Sequence, residues 1–127
     1  MRSLASLMLI TLFVNFANGQ DANTPPGIQK MQALSGLVGT WRGDDGNVAT
    51  YRWINNDSCI EMIAGDYREI TGWDLTEKKI VSWGFGTHGG QGKHIWEQQD
   101  QNTWTRTCKW LDRWGKEFTL ESKVVVN

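Results

Sequence analysis

From Val38 onward the chain consists of short segments rich in Thr, Val, Ile, Trp and Tyr, separated by clusters of Gly, Asn and Asp. Segments of this length with turn-forming residues between them are typical of antiparallel strands joined by hairpins. Eight such segments follow one another, and they read VGTWRG, NVATYRWI, CIEMIAG, YREITGW, KIVSWGFG, GKHIWEQ, TWTRTCKW and KEFTLESKVVV. We therefore predict an all-β fold, an antiparallel up-and-down meander of about eight strands that closes into a barrel, because closure removes exposed sheet edges.

The N-terminus predicts export. Arg2 is followed by an apolar run from Leu4 to Ala17 and by the small residue Gly19, which is the order of parts in a signal peptide. The apolar run is shorter than the roughly 20 residues of a membrane-spanning helix. We predict a signal peptide over residues 1–19, no membrane span after its cleavage, and a secreted or periplasmic protein.

Two further segments precede the strands. The polar segment 20–27 contains two consecutive prolines and is predicted to be a flexible lead-in. In the next ten residues the apolar side chains recur at helical spacing, and they are Ile28, Met31, Leu34 and Leu37. This spacing predicts one short N-terminal helix, so the folded domain is expected to span residues 28–127.

Tryptophan is unusually frequent, with 8 among 127 residues. An indole ring buries a large area and requires a partner for its N–H group, so this density marks either an aromatic core or a binding surface. Side chains of a strand alternate between its two faces, and this alternation places Trp on one side of successive strands. Assigning that side to the barrel interior predicts the ligand-binding residues Tyr51, Trp53, Trp83, Phe85, His94, Trp96, Trp104 and Arg106. A filled aromatic core is the alternative.

The segment GFGTHGGQGKH contains a G-x-G-x-x-G pattern at Gly84, Gly86 and Gly89. In a dinucleotide-binding loop this pattern opens a helix whose terminal N–H groups bind the pyrophosphate. Here strand-type residues follow the glycines, so the pattern predicts a turn at the rim of the barrel.

The remaining chemistry-bearing residues do not form a recognisable active site. His88 and His94 are fewer than the three protein ligands of a catalytic zinc, and no acidic residue lies at a ligand spacing from them. No serine lies in a nucleophile elbow. The formal net charge of −1 argues against nucleic acid as a partner. We therefore predict no metal, no cofactor, no catalytic residue and no nucleic-acid partner, and the sequence leaves the oligomeric state open.

Cys59 and Cys108 are the two cysteines of the chain. In an oxidising compartment they could form a disulfide. Two buried thiols that pack as small apolar groups are the alternative.

The stretch LSGLVGTWRG, in which a short helix leads into Gly39 and Trp41, resembles the start of the calycin superfamily of lipocalin and fatty-acid-binding barrels. In those families the tryptophan plugs the closed end of the barrel. The resemblance thus implies a lipocalin-like barrel and structural roles for Gly39 and Trp41. A heme-binding calycin, nitrobindin, also begins with G-T-W, but its iron ligand is a late histidine, and no histidine follows His94.

A longer stretch, from Leu34 to about Arg113, is similar to an uncharacterised lipocalin-like domain of exported bacterial proteins, often found behind a SnoaL-like domain. The matching residues are Gly72, Trp73, Asp74, Ser82, Trp83, Phe85, Gly89, Gly90 and Gly92. This resemblance implies a fold and no catalytic residue. The chain has no SnoaL-like part and ends in SKVVVN, where the resemblance implies another strand or two. Either the eighth strand closes a compact barrel, or the chain is truncated and one edge is open.

Three functional hypotheses follow. The leading one is a barrel that binds a small hydrophobic or aromatic molecule without catalysis. The second is an enzyme with a cryptic site in the barrel mouth, built on His94, Glu97 and Arg106. The third is a carbohydrate- or protein-interaction module whose tryptophans lie on the outside.

Overall fold

The computed structural model of the protein describes residues 2–3 and 23–126. The predicted signal peptide therefore lies outside the described residues, apart from residues 2–3, and so does the beginning of the predicted lead-in.

Within these residues one sheet contains nine strands, each paired with its neighbours in the chain. The strands are β1 (Arg2–Ser3), β2 (Gly39–Arg42), β3 (Val48–Ile54), β4 (Cys59–Ala64), β5 (Tyr67–Asp74), β6 (Lys79–Phe85), β7 (Gln91–Gln98), β8 (Thr103–Leu111) and β9 (Glu117–Val125). The two-residue β1 pairs in parallel with β2, and every other pair is antiparallel. The predicted eight-stranded antiparallel meander is confirmed, and the ends of β2 to β9 lie within one residue of the predicted segments.

The turns are formed by the residue types that the sequence pattern indicates. Residues 55–57, which are two asparagines and an aspartate, have positive φ between β3 and β4. Gly89 has a φ of 86° between β6 and β7, a region that is costly for residues with a Cβ atom. The glycine-rich segment is therefore a hairpin turn, as predicted.

The side chains of two aspartates stabilise other turns by accepting hydrogen bonds from the backbone. The carboxylates of Asp74 and Asp100 accept hydrogen bonds from backbone amides two and three residues further along the chain, at 2.8 to 2.9 Å. These hydrogen bonds from the backbone lower the pKa of both carboxyl groups, because they favour the charged form.

A short helix precedes the sheet. Helix α1 (Pro26–Met31) continues directly into a 3₁₀ helix (Gln32–Leu37). The helix begins two residues earlier than predicted because Pro26 is tolerated in the first turn, where an amide hydrogen has no helical partner. Its buried side chains are Met31, Leu34 and Leu37.

The helical segment fills one end of the curved sheet. Its apolar side chains form a cluster with residues from several strands, and these are Ile60, Ile80, Trp96, Trp104 and Val126. Trp41 joins the two parts, since its indole N–H donates to the carbonyl oxygen of Leu37 at 2.7 Å. This end of the protein is therefore a filled apolar core.

The sheet curls into a half-barrel whose last strand is an edge. Among the described residues β9 pairs only with β8. Phe118 and Leu120 lie opposite Trp110 and Cys108 in the register, so they share the concave face with them. Their side chains are nevertheless 41% and 56% exposed. The curvature predicted for a barrel is present, but β9 has no second partner strand in this part of the chain that would complete the closure.

Candidate functional site

A cluster of polar side chains lies on the concave face, next to the apolar core. Tyr67 and Glu69 come from β5, His94 from β7 and Arg106 from β8. The alternation of each strand directs all four side chains inward. Toward the apolar core, the next inward-facing residues of β5, β6 and β7 are Thr71, Ser82 and Trp96. The hydroxyl groups of Thr71 and Ser82 are hydrogen-bonded to each other, and the indole N–H of Trp96 donates to Ser82.

The centre of the cluster is a buried ion pair. Nη2 of Arg106 donates hydrogen bonds to Oε1 and Oε2 of Glu69 at 2.9 and 2.8 Å. The Glu69 residue is only 1% exposed, and a buried carboxylate requires such a partner. The Arg106 guanidinium also lies over the Trp96 ring, 4.7 Å from its centroid, where the ring face attracts a cation.

Tyr67 and His94 complete the cluster. The Tyr67 hydroxyl donates to Oε2 of Glu69 at 2.8 Å and lies 3.3 Å from Nε2 of His94. Because the hydroxyl proton points at Glu69, the hydroxyl oxygen accepts from His94, which assigns the imidazole proton to Nε2. Burial lowers the pKa of His94, and Arg106 lowers it further while Glu69 opposes the shift. Burial and the neighbouring Glu69 raise the pKa of Tyr67, so both rings are uncharged at neutral pH.

Three buried nitrogen atoms, two in this cluster and one in the neighbouring apolar core, have no hydrogen-bond partner among the described residues. They are Nδ1 of His94, Nε1 of Trp104 and Nε of Arg106. An unsatisfied buried polar group costs about 1 to 3 kcal/mol. These nitrogen atoms therefore keep hydrogen-bonding capacity that the described residues do not use.

Aromatic rings form the apolar border of the cluster on the side that faces away from the apolar core. We call this side the open end of the concave face. The rings of Tyr67 and Trp110 lie 6.0 Å apart. A Cβ atom at Gly90 or Gly92 would lie 2.7 Å from the Trp110 ring, and one at Gly84 would collide with the Tyr67 hydroxyl. The glycines of the GFGTHGGQG segment therefore make room for these two rings.

Four of the predicted ligand-binding aromatic residues do lie on the inner side, but at its filled end. Trp96 and Trp104 are 3% and 6% exposed and belong to the apolar core. Their rings meet edge to face, with centroids 6.3 Å apart. Tyr51 and Trp53 pack against the same core, and burial raises the pKa of Tyr51. These four residues form part of the apolar core or pack against it, whereas His94 and Arg106 belong to the polar cluster itself.

The predicted inward orientation of Trp83 and Phe85 is wrong. Their side chains are 52% and 56% exposed on the convex face, and Nζ of Lys93 lies 5.3 Å from the Trp83 ring centroid. On β6 the inward positions belong to Ile80, Ser82 and Gly84, which are buried. Ser82 and Gly84 are small because the rings of Trp96 and Tyr67 from the neighbouring strands lie against them.

Glu97, which the enzyme hypothesis places in the site, also lies on the convex face. It is exposed and pairs with Lys79 at 3.3 Å. The buried carboxylate is Glu69, although a carboxylate on a strand usually faces solvent. Its signal was the alternation of β5, where Glu69 shares a face with Tyr67 and Trp73.

The possible disulfide is excluded by the geometry. Cys59 and Cys108 are both free thiols. Cys108 points to the concave face opposite His94, whereas Cys59 pairs with Gly72 on the convex side. A disulfide would require the two Cβ atoms within about 4.5 Å of each other, which opposite faces of a sheet do not allow.

Residues 2–3 and 23–126 contain no group of three His, Cys, Asp or Glu side chains that could hold a metal ion. His88, one of the two histidines, is exposed in the β6–β7 turn. No helix in this part of the chain has the length and apolar character needed to span a membrane.

Comparison of the chain with protein-family models, with curated proteins and with solved structures finds no match. The calycin resemblance therefore stays a prediction that rests on the sequence motifs.

Proposed function

We propose that the protein binds a small, uncharged, hydrophobic or aromatic molecule at the open end of the concave face, without catalysis. The observation that carries the proposal is the exposure of concave-face apolar side chains beside a buried polar cluster. Phe118 and Leu120 are exposed there, and Trp110 is half-buried next to them. Ligand sites combine an apolar lining with a few fixed polar groups in this way.

The charge of the cluster supports an uncharged ligand. The positive charge of Arg106 is already balanced by Glu69 at 2.8 Å, and the lowered pKa of His94 leaves that ring neutral. A charged ligand group would add an uncompensated charge to a partly buried site, which is costly. An uncharged ligand leaves the charge balance of this ion pair unchanged.

The absence of catalysis is supported by how the cluster is occupied. A general base must reach a proton of the substrate. Both carboxylate oxygens of Glu69 are already hydrogen-bonded to Arg106, and Oε2 also accepts from Tyr67. The carboxylate therefore serves to hold the cluster together.

Calorimetric titration with uncharged aromatic and aliphatic probes, including naphthol and decanol, tests the proposal. Saturable binding is expected for at least one probe, and Trp110→Leu should weaken it about tenfold, as for an anchoring aromatic residue. Trp83→Leu on the convex face is the matched control and should bind like the wild type. Naphthoate, the charged counterpart of naphthol, should bind more weakly. Heat signals that stay flat for the whole panel would refute the proposal.

A second candidate function is an interaction module on the convex face. Ile70 lies directly opposite Trp83 in the register, and both are about half exposed, as is Phe85. Contiguous exposed apolar patches mark interaction sites. In this case Trp83→Leu would reduce binding of a carbohydrate or protein partner, and Trp110→Leu would not.

We also propose that residues 1–19 direct export and that the folded domain acts outside the cytoplasm. The support is the order of basic, apolar and small residues at the N-terminus. Expression of the full chain in a bacterial host, followed by N-terminal sequencing of the periplasmic fraction, tests this. The expected product begins near Gln20, and an uncleaved product in the cytoplasm would contradict it.

A further inference from the structure

The outer edge of β9 is a long strand edge without a partner strand among the described residues. The strand has nine residues, and eight of them are exposed. One side of its backbone is hydrogen-bonded to β8, so the outward N–H and C=O groups have no strand partner in the described parts of the chain. A long exposed edge is a template for pairing with another strand unless the sequence protects it.

β9 lacks two of the usual protections of a sheet edge, a proline and a bulge. It contains no proline, and its pairing with β8 runs without a bulge from Glu117 to Val125. On the concave side it presents Phe118 and Leu120. On the convex side it carries both signs of charge, with Glu117 and Glu121 ahead of Lys123.

This order of charges makes the edge complementary to itself in an antiparallel arrangement. When two copies of β9 pair about an axis at Leu120, each Lys123 lies opposite Glu117 of the other copy. When the axis lies at Ser122, each Lys123 lies opposite Glu121 of the other copy. Axes at Thr119 or Glu121 instead place glutamates opposite each other, which is destabilising.

We infer that the protein forms a two-fold symmetric dimer in which β9 pairs antiparallel with β9 of a second copy, centred on Leu120 or Ser122. Two half-barrels then share one continuous sheet. Pairing satisfies the outward backbone groups of both edges, and the Phe118 and Leu120 side chains stay on the shared concave face. The interface is isologous, as two-fold symmetry requires.

The dimer would place the second copy beside the polar cluster. Arg106 and Cys108 lie opposite Ser122 and Leu120 in the β8–β9 register, so the edge is one strand away from them. The strand added by the second copy would extend the concave face at its open side. This inference does not depend on the proposed ligand binding, because it rests on the edge alone.

Variants of β9 with reversed charges test the inference. Analytical ultracentrifugation of the wild type should show a concentration-dependent dimer. Lys123→Glu leaves only negative charges on the convex side of β9 and should weaken the dimer about tenfold or more in either register. The double variant Glu117→Lys/Glu121→Lys leaves only positive charges and should weaken it similarly. Mixing the two variants should restore dimers that contain one copy of each.

The restored mixed dimer distinguishes pairing at this edge from a folding defect, because each variant then associates only with the other. Lys109→Glu on the exposed convex side of β8 is the matched control and should dimerise like the wild type. A wild-type chain that stays monomeric at all concentrations would overturn the inference. So would a dimer that neither charge change affects, since it would use another surface.

Discussion

Arg106 on β8 and Glu69 on β5 are hydrogen-bonded at 2.8 Å although two strands, β6 and β7, lie between them in the sheet. Neighbouring strands are about 4.8 Å apart, so in a flat sheet the two backbones would be about 14 Å apart with parallel side chains. The contact requires the sheet to curl. The Arg106–Glu69 pair, and with it the polar cluster on the concave face, therefore forms only when the sheet is curved.

Removing the Glu69 carboxylate should destabilise the fold strongly. Glu69→Gln leaves Arg106 buried without its counter-charge, and breaking a buried pair costs about 3 to 5 kcal/mol. Glu97→Gln is the matched control, because Glu97 is paired with Lys79 at the surface, where such pairs contribute about 0 to 1 kcal/mol. The free energy of unfolding in urea measures both. Equal losses for the two variants would contradict the central role of the buried pair.

Stability should fall in mild acid because of His94. Burial lowers the pKa of this residue in the folded protein, whereas the unfolded value is about 6.5. The stabilisation is therefore fully present above about pH 6.5 and is lost as the pH falls, since the unfolded chain takes up the proton first. The loss between about pH 7.5 and about pH 5.5 should reach at most about 1.4 kcal/mol.

Urea unfolding at the two pH values measures this loss, and His94→Gln should abolish it. His88→Gln, in an exposed turn, serves as the control and should keep the wild-type pH dependence. The same pH dependence in His94→Gln as in the wild type would assign the effect to other groups.

A methyl group at Gly84 should displace Tyr67. The added Cβ would overlap the Tyr67 hydroxyl, and overpacking of this kind costs about 1 to 3 kcal/mol. Gly84→Ala should therefore lower the free energy of unfolding, and it should cost much less when Tyr67→Ala has already removed the ring. A double-mutant cycle by urea unfolding measures this coupling. Additive losses would show that the two residues do not share the space.

The strands could be predicted from the sequence because the turn residues mark their ends. The sequence did not show which side of β6 lies on the concave face, because both sides of the strand contain apolar residues. Lys79 shares a face with Trp83, and this charge was the available signal that the face is convex. The small inward residues Ser82 and Gly84 only make sense once the rings of Trp96 and Tyr67 are known to cover them.

The candidate site was predicted in part. Strand alternation correctly brought His94 and Arg106 to the inner side. Glu69 was missed because a carboxylate on a strand usually faces solvent. Only the curvature of the sheet brings Arg106 close enough to balance its charge, and curvature over four strands leaves no local pattern in the sequence.

The tryptophans should differ in their reaction with N-bromosuccinimide. Trp83 and Trp114 are the exposed ones on the convex face and in the β8–β9 turn, so they should be oxidised first. Trp41, Trp96 and Trp104 are buried and should react only on unfolding. Peptide mass spectrometry after limited oxidation locates the products. Early oxidation of Trp96 or Trp104 would contradict the filled core.

The indole N–H signals of the tryptophans in a ¹⁵N-correlated NMR spectrum test the central claim most directly, because they report where an added molecule binds. With a probe that binds in calorimetry, such as naphthol, the Trp110 signal should shift in a saturable manner. The signals of Trp83 and Trp114 should stay in place. Saturable shifts of Trp83 with Trp110 unchanged would contradict a ligand site on the concave face.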